Sequence, residues 1–202
     1  MRYAKIDEYE VSNGIGNGMS LYVQGCRFRC PGCQNPSAWD FNGGKEWTKE
    51  VKDNFIKLID RLYITRVSVL GGEPLADENL DDVYWLLHEI KRNYPDKKIW
   101  LYTGYTWEHI MSYESDLKNA KEELEKIKNN PCGLKYYKEA TFNYSPSKFV
   151  LRKEIVSMVD VLVDGLYEDD KRDLTLKFKG SRNQRIWRKN GTEWIIEEDK
   201  HE

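Results

Sequence analysis

Gly25-Cys26-Arg27-Phe28-Arg29-Cys30-Pro31-Gly32-Cys33-Gln34-Asn35 is the stretch on which the reading of this chain turns. It sets Cys26, Cys30 and Cys33 in a C-x3-C-x2-C run. Thiols at that spacing, interrupted by Pro31 and Gly32, can wrap one metal centre from a loop, whereas a regular helix or strand would scatter the sulfurs. Thiolates are soft ligands that suit zinc or iron–sulfur clusters. A closed structural site wants four protein ligands, and three leave one metal position open for chemistry. Two readings therefore stand side by side. One is an open cluster. The other is a zinc knuckle closed by Cys132, His88 or His109. Cys132, in Asn-Pro-Cys-Gly, is either a fourth ligand or an incidental loop thiol.

The rest of the composition narrows the setting. The chain has 202 residues, 40% hydrophobic and 33% charged, enough for one core and read as a single domain over 1–202. A net charge of −2 argues against nucleic acid as the main partner, since phosphate binding wants a basic face. No apolar run approaches the ~20 residues of a membrane span, so no membrane partner is expected. The first residues carry no apolar signal-peptide core, which points to the cytoplasm, where thiols stay reduced. Clustered cysteines there read as metal-binding or catalytic before they read as disulfides.

Outward from the cysteines, the pattern alternates. Residues 19–23 read as a short buried strand delivering Gly25 and Cys26, preceded by a loop rich in Asn and Gly over residues 11–18. Trp39, Phe41 and Trp47 are apolar anchors on the exit. Thr48 is a candidate N-cap, with Val51, Phe55, Leu58, Ile59 and Leu62 following at helical spacing. Residues 66–70 form a second strand ending at Gly71-Gly72-Glu73-Pro74. Helical spacing returns from Leu80 to Ile90, a third strand runs over 98–102, and Trp107 starts another helix. Residues 116–148 break the rhythm as an insertion with a charged helix. A helix over 149–158, a strand over 159–163, an extended run over 174–178 and a hairpin around Asn190-Gly191 complete the chain. Strands alternating with helices imply an α/β fold with mostly parallel strands and functional loops at their C-terminal edge.

Two of those loops have chemistry of their own. Adjacent glycines at 71 and 72 permit positive φ and close approach of a ligand, and the Glu73 carboxylate could accept hydrogen bonds from a cationic amine. The bland alternative is a strand-to-helix turn. Tyr102-Thr103-Gly104-Tyr105 offers a hydroxyl, an uncovered backbone and flat rings, suited to a sugar or base edge, or equally to a polar turn.

The cysteine loop after the first strand, with Gly-Gly-Glu-Pro after the second, resembles the radical S-adenosylmethionine superfamily. Within it the chain is similar to the activating proteins of anaerobic (class III) ribonucleoside-triphosphate reductases. That likeness rests also on Asn13-Gly14, Val23-Gln24-Gly25-Cys26, the run from Cys33 to Trp39, Tyr102-Thr103-Gly104-Tyr105, the run from Val159 to Gly165, and the run from Lys179 to Ile186. It covers residues 12 to about 188, apart from the insertion.

The resemblance implies an incomplete (βα) barrel. It implies that Cys26, Cys30 and Cys33 hold a [4Fe–4S] cluster by three irons, with S-adenosylmethionine chelating the fourth. Gly71, Gly72 and Glu73 would receive the methionyl amine. One-electron reduction, from a donor such as flavodoxin or ferredoxin, would cleave the sulfonium. The resulting 5′-deoxyadenosyl radical would take hydrogen from a glycine of the large reductase subunit. Gln34 stands where the family often has an aromatic residue. The adenine contact would then use backbone around Gly32, Cys33 and Gln34, or another aromatic such as Tyr102 beside Thr103 and Gly104. Asp164-Gly165 could contact the ribose. Residues 180–185 read as a turn with basic caps or as a cofactor contact.

Overall fold

The computed structural model describes residues 1–111 and 146–198. Eight strands form one open mixed sheet in the order β3-β1-β2-β4-β5-β6-β7-β8. These are β1 (Arg2–Glu10), β2 (Gly18–Val23), β3 (Lys45–Glu46), β4 (Arg66–Gly71), β5 (Lys98–Tyr102), β6 (Val161–Asp164), β7 (Arg185–Asn190) and β8 (Glu193–Ile196). The four central strands, β2, β4, β5 and β6, are parallel, and antiparallel strands flank them on both sides. Helices α1 (Lys49–Ile59), α2 (Leu80–Asn93), α3 (Trp107–Met111) and α4 (Pro146–Met158) lie between them in the chain. No described helix is long and apolar enough to cross a membrane.

Period two in the strands decides what each face carries. Met19, Leu21, Val23, Val67, Val69, Ile99, Leu101 and Leu162 are buried in one core with Phe55, Ile59, Val83, Leu87 and Ile155 of the helices. The alternate residues face the other way. Ser20, Ser68, Trp100 and Val161 pair across β2, β4, β5 and β6 as one row. In the next row Tyr22 pairs with Leu70, and Tyr102 with Val163. Among the described residues, this second face is covered by a largely irregular segment. Residues 165–184 fold back over it, with Phe178 set edge-on against Trp100 at 5.2 Å.

Local signals explain most boundaries. Thr48 caps α1, its hydroxyl accepting from the Val51 amide at 3.3 Å. Asp81 and Asp82 open α2, and Lys91 and Arg92 close it, matching its dipole. The hairpin turns at Gly191, where φ is 62°. Four expectations need correction. Leu62 is 97% exposed and lies beyond α1, which ends at Ile59 with Asp60 as its C-cap. Residues 174–178 are irregular rather than extended, because Phe178 turns at φ 62° to reach Trp100. The fourth core strand starts at Val161, since the Val159 amide still closes α4 on Val156. Helix α4 starts at Pro146, ahead of the expected 149, and the charged helix expected within the insertion and Cys132 lie outside the described residues.

Candidate metal and cofactor site

The cysteine loop leaves β2 through Gly25 at φ 93°, where a Cβ would fall 2.1 Å from the Phe41 ring. The Gly25 and Cys26 amides donate to the Ala38 and Trp39 carbonyls at 2.8 and 3.0 Å, tying the start of the loop to its exit. The Cys33 amide turns back onto the Cys30 carbonyl at 3.1 Å. The Asn35 amide points at Cys33 Sγ at 3.4 Å, a donor placed to stabilise thiolate charge. From outside, Arg27 forks onto Glu78 and lies over Phe41 at 4.5 Å. Phe28 is buried edge-on against Tyr105 at 5.0 Å.

The second loop is sewn to the first. The Gly72 amide donates to the Val23 carbonyl and the Glu73 amide to the Gly25 carbonyl, both at 2.8 Å. That approach needs glycine: a Cβ at residue 72 would lie 2.5 Å from the Gly25 oxygen, and Gly71 holds φ 105° against Tyr22. Asn79 donates to the Gln24 and Glu73 carbonyls at 3.0 and 2.9 Å. Arg152 of α4 supports the exit, donating to the Leu75 carbonyl at 2.9 Å and pairing with Asp77.

Glu73 joins the second loop to the third. Its carboxylate accepts from the Leu75 amide at 2.8 Å, the Thr103 hydroxyl at 2.7 Å and the Gly104 amide at 2.8 Å. Burial nevertheless pushes this carboxyl up to about 7, against those bonds and the Arg152 charge. Burial, followed by the Glu73 charge, pushes the Cys26 thiol up to about 12. A cationic metal centre would reverse that preference and hold the thiolate.

The three loops open into one cavity of about 830 Å³. Its wall carries Cys26, Cys30, Cys33 and Gln34, then Gly71, Gly72 and Glu73, then Tyr102, Thr103 and Gly104. Gly32 is exposed one residue outside that wall. The Tyr102 hydroxyl is buried and has no hydrogen-bond partner among the described residues. Neither His88 nor His109 lines the cavity. His88 stacks on Tyr84 on the surface of α2, and His109 is turned onto Tyr105. Among the described residues, no three Cys, His, Asp or Glu side chains converge as a single-ion site.

Two segments take roles different from, or sharper than, their sequence reading. Asp164 is fully buried and is not available to a ribose. It accepts from Arg185 Nε and Nη2 and from the Trp107 amide, at 2.6 Å for the amide, and so anchors α3. Arg185 continues onto Glu108 with two bonds of 2.7 Å. Residues 180–185 act as a brace: Gln184 accepts from the Gly180 amide and donates to the Gly165 carbonyl, and Asn183 donates to the Leu166 carbonyl. Arg182 pairs with Asp173. Reading by sequence missed Tyr22, Asn13, Tyr167 and Phe178 on the cavity wall. For Tyr22 the signal was present, since strand alternation sets it opposite Leu21. For the others no local signal exists.

Comparison with known proteins agrees with this geometry. The model of the 4Fe-4S single cluster domain family matches residues 12–128 and 124–187. A protein of Vibrio cholerae serotype O1 named anaerobic ribonucleoside-triphosphate reductase-activating protein is 32% identical over 190 residues, covering 93% of this chain and 98% of its own. The protein of that name from Salmonella typhi is 30% identical over 186 residues, 91% of this chain and 96% of its own. That of Enterobacteria phage T4 is 29% identical over 194 residues, 96% and 98% of the two chains.

Proposed function

This chain belongs to the 4Fe-4S single cluster domain family and to the anaerobic ribonucleoside-triphosphate reductase-activating proteins, and on that premise we propose that it is a radical S-adenosylmethionine activase of such a reductase. The observation that carries the reading is the meeting of the C-x3-C-x2-C, Gly-Gly-Glu-Pro and Tyr-Thr-Gly-Tyr loops around one cavity. Cys26, Cys30 and Cys33 would hold a [4Fe–4S] cluster, whose remaining open position would be chelated by the amino and carboxylate groups of S-adenosylmethionine. The residues present fit such a group. Cys26, Cys30 and Cys33 line one cavity, the Asn35 amide points at Cys33 Sγ, and Tyr102 offers an unspent hydroxyl.

When bound, the cluster and S-adenosylmethionine supply one-electron cleavage of the sulfonium and hydrogen abstraction, leaving a glycyl radical on the large reductase subunit. The protein's part is position and exclusion of water and oxygen. Gly71, Gly72 and Glu73 receive the methionyl amine. Thr103 and Gly104, fixed by Glu73, face the nucleoside with Tyr102 and the backbone of Gly32, Cys33 and Gln34. An incomplete (βα) barrel, as the family likeness implies, would leave an unclosed side to admit a loop of the partner. A flavodoxin or ferredoxin supplies the electron, in the cytoplasm.

Anaerobic reconstitution with iron and sulfide tests this. The expected product is a brown protein that cleaves S-adenosylmethionine on reduction and gives a glycyl-radical EPR signal with the large reductase subunit. Cys30→Ala should lose cluster and cleavage together. A colourless protein holding only zinc would overturn the reading, as would cleavage surviving in Cys30→Ala with an intact cluster.

A further inference from the structure

The third cysteine has no ring beside it in sequence: its neighbours are Gly32 and Gln34. A ring arrives from elsewhere in the fold. Tyr167, three residues past β6, lines the cavity half-buried. Its hydroxyl donates to Asp169 Oδ1 at 2.7 Å. Asp169 in turn sits on Gly32, where a Cβ would fall 2.3 Å from that same oxygen. The anchor of the tyrosine therefore rests on the residue preceding Cys33. On the other side a single glycine separates Tyr167 from Gln34. A Cβ on Gly180 would lie 3.0 Å from Tyr167 Cδ2 and 3.2 Å from Gln34 Nε2.

Other rings of the wall make contacts of their own. Phe28 packs edge-on against Tyr105, and Phe178 against Trp100. Tyr22 and Tyr102 stand in the sheet, and Trp39 is held where its carbonyl meets the Cys26 amide.

We propose that Tyr167 is the platform on which the purine of a nucleoside-bearing ligand stacks beside Cys33, with Asp169 and the bare faces of Gly32 and Gly180 setting the ring. The proposal rests on the cofactor reading given above. Stacking needs a π-face and tolerates loss of the hydroxyl, so the chemistry distinguishes ring from anchor. Dissociation constants of S-adenosylmethionine and of methionine are measured on anaerobically reconstituted full-length protein, with iron content alongside. Tyr167→Leu is expected to weaken S-adenosylmethionine about tenfold while methionine affinity and iron content hold, and Tyr167→Phe to stay near wild type. Gly180→Ala, which pushes on the ring, should give the same split more weakly and serves if Tyr167→Leu fails to fold. Tyr167→Leu binding S-adenosylmethionine as tightly as wild type overturns the proposal, and so does equal weakening of both ligands. Wild-type protein that holds its cluster but binds neither ligand overturns the cofactor reading itself, and this proposal with it.

Discussion

Glu73 is 2% exposed and accepts three hydrogen bonds, yet burial still lifts its carboxyl from 4.5 to about 7. The folded state then holds a proton that the unfolded chain has released. Stability from this group is full below pH 4.5 and is lost as pH rises through 7. His109 works in the opposite sense. Burial, and then the Arg152 charge, push its imidazole down from 6.5 to about 4, so its contribution is full above pH 6.5 and is lost as pH falls toward 4. Each shift is worth on the order of 3 kcal/mol, and the two windows overlap between pH 4.5 and 6.5. There they offset one another. Urea midpoints of cluster-free protein should show it: relative to wild type, Glu73→Gln gains stability on going from pH 4.5 to 6.5, and His109→Phe loses it. Parallel pH curves for all three proteins would contradict the assignment.

Elements owe their positions to contacts of unequal visibility. The spacing of Val51, Phe55 and Ile59 made α1 legible, and Lys98-Ile99-Trp100-Leu101-Tyr102 made β5 legible to the residue. β1 escaped because its nine residues, with five charges among them, show no apolar face. Its place is set by a remote partner. Arg66 of β4 is fully buried, donates to Glu10 at 2.7 Å and to the Asn13 carbonyl at 2.8 Å, and so ties β1 and the following loop to the parallel strands. Ser20 also donates to Glu10 at 2.7 Å, and Asn13 donates to Ser20 and Tyr22 at 3.0 and 2.8 Å. Burial opposes the Glu10 charge, but these bonds hold its carboxyl below the usual range. Arg66→Met strands that charge and should destabilise the fold by about 3–5 kcal/mol. Adding Glu10→Leu should recover part of the loss, which urea denaturation of both variants would reveal. No recovery would show that the network acts through packing alone.

At the scale of the whole molecule the sheet separates two tasks. One face buries the apolar core against the helices, and the other, with the loops above it, forms the cavity. A bound cluster stabilises only the native arrangement of its ligands, so its removal should act on one side of the sheet. Loss of iron should lower the melting temperature and speed amide exchange in residues 25–35 and 71–74, while β4 and β5 remain protected. Uniform loss of protection would mean that the cluster supports the core as well.

The sequence by itself determined the central parallel strands and the helices between them, the three thiols and the glycine loops, because periodicity, capping and spacing are local properties written within a few residues. It also carried the family likeness. Only the tertiary structure decided how those loops divide the work. It bent Glu73 onto Thr103 and Gly104, withdrew Asp164 into a pair with Arg185, and laid residues 165–184 over the open face so that Asp169 meets Gly32. Each of these contacts joins residues between 21 and well over 100 positions apart, and a chain's local pattern holds no record of which distant surface it will meet.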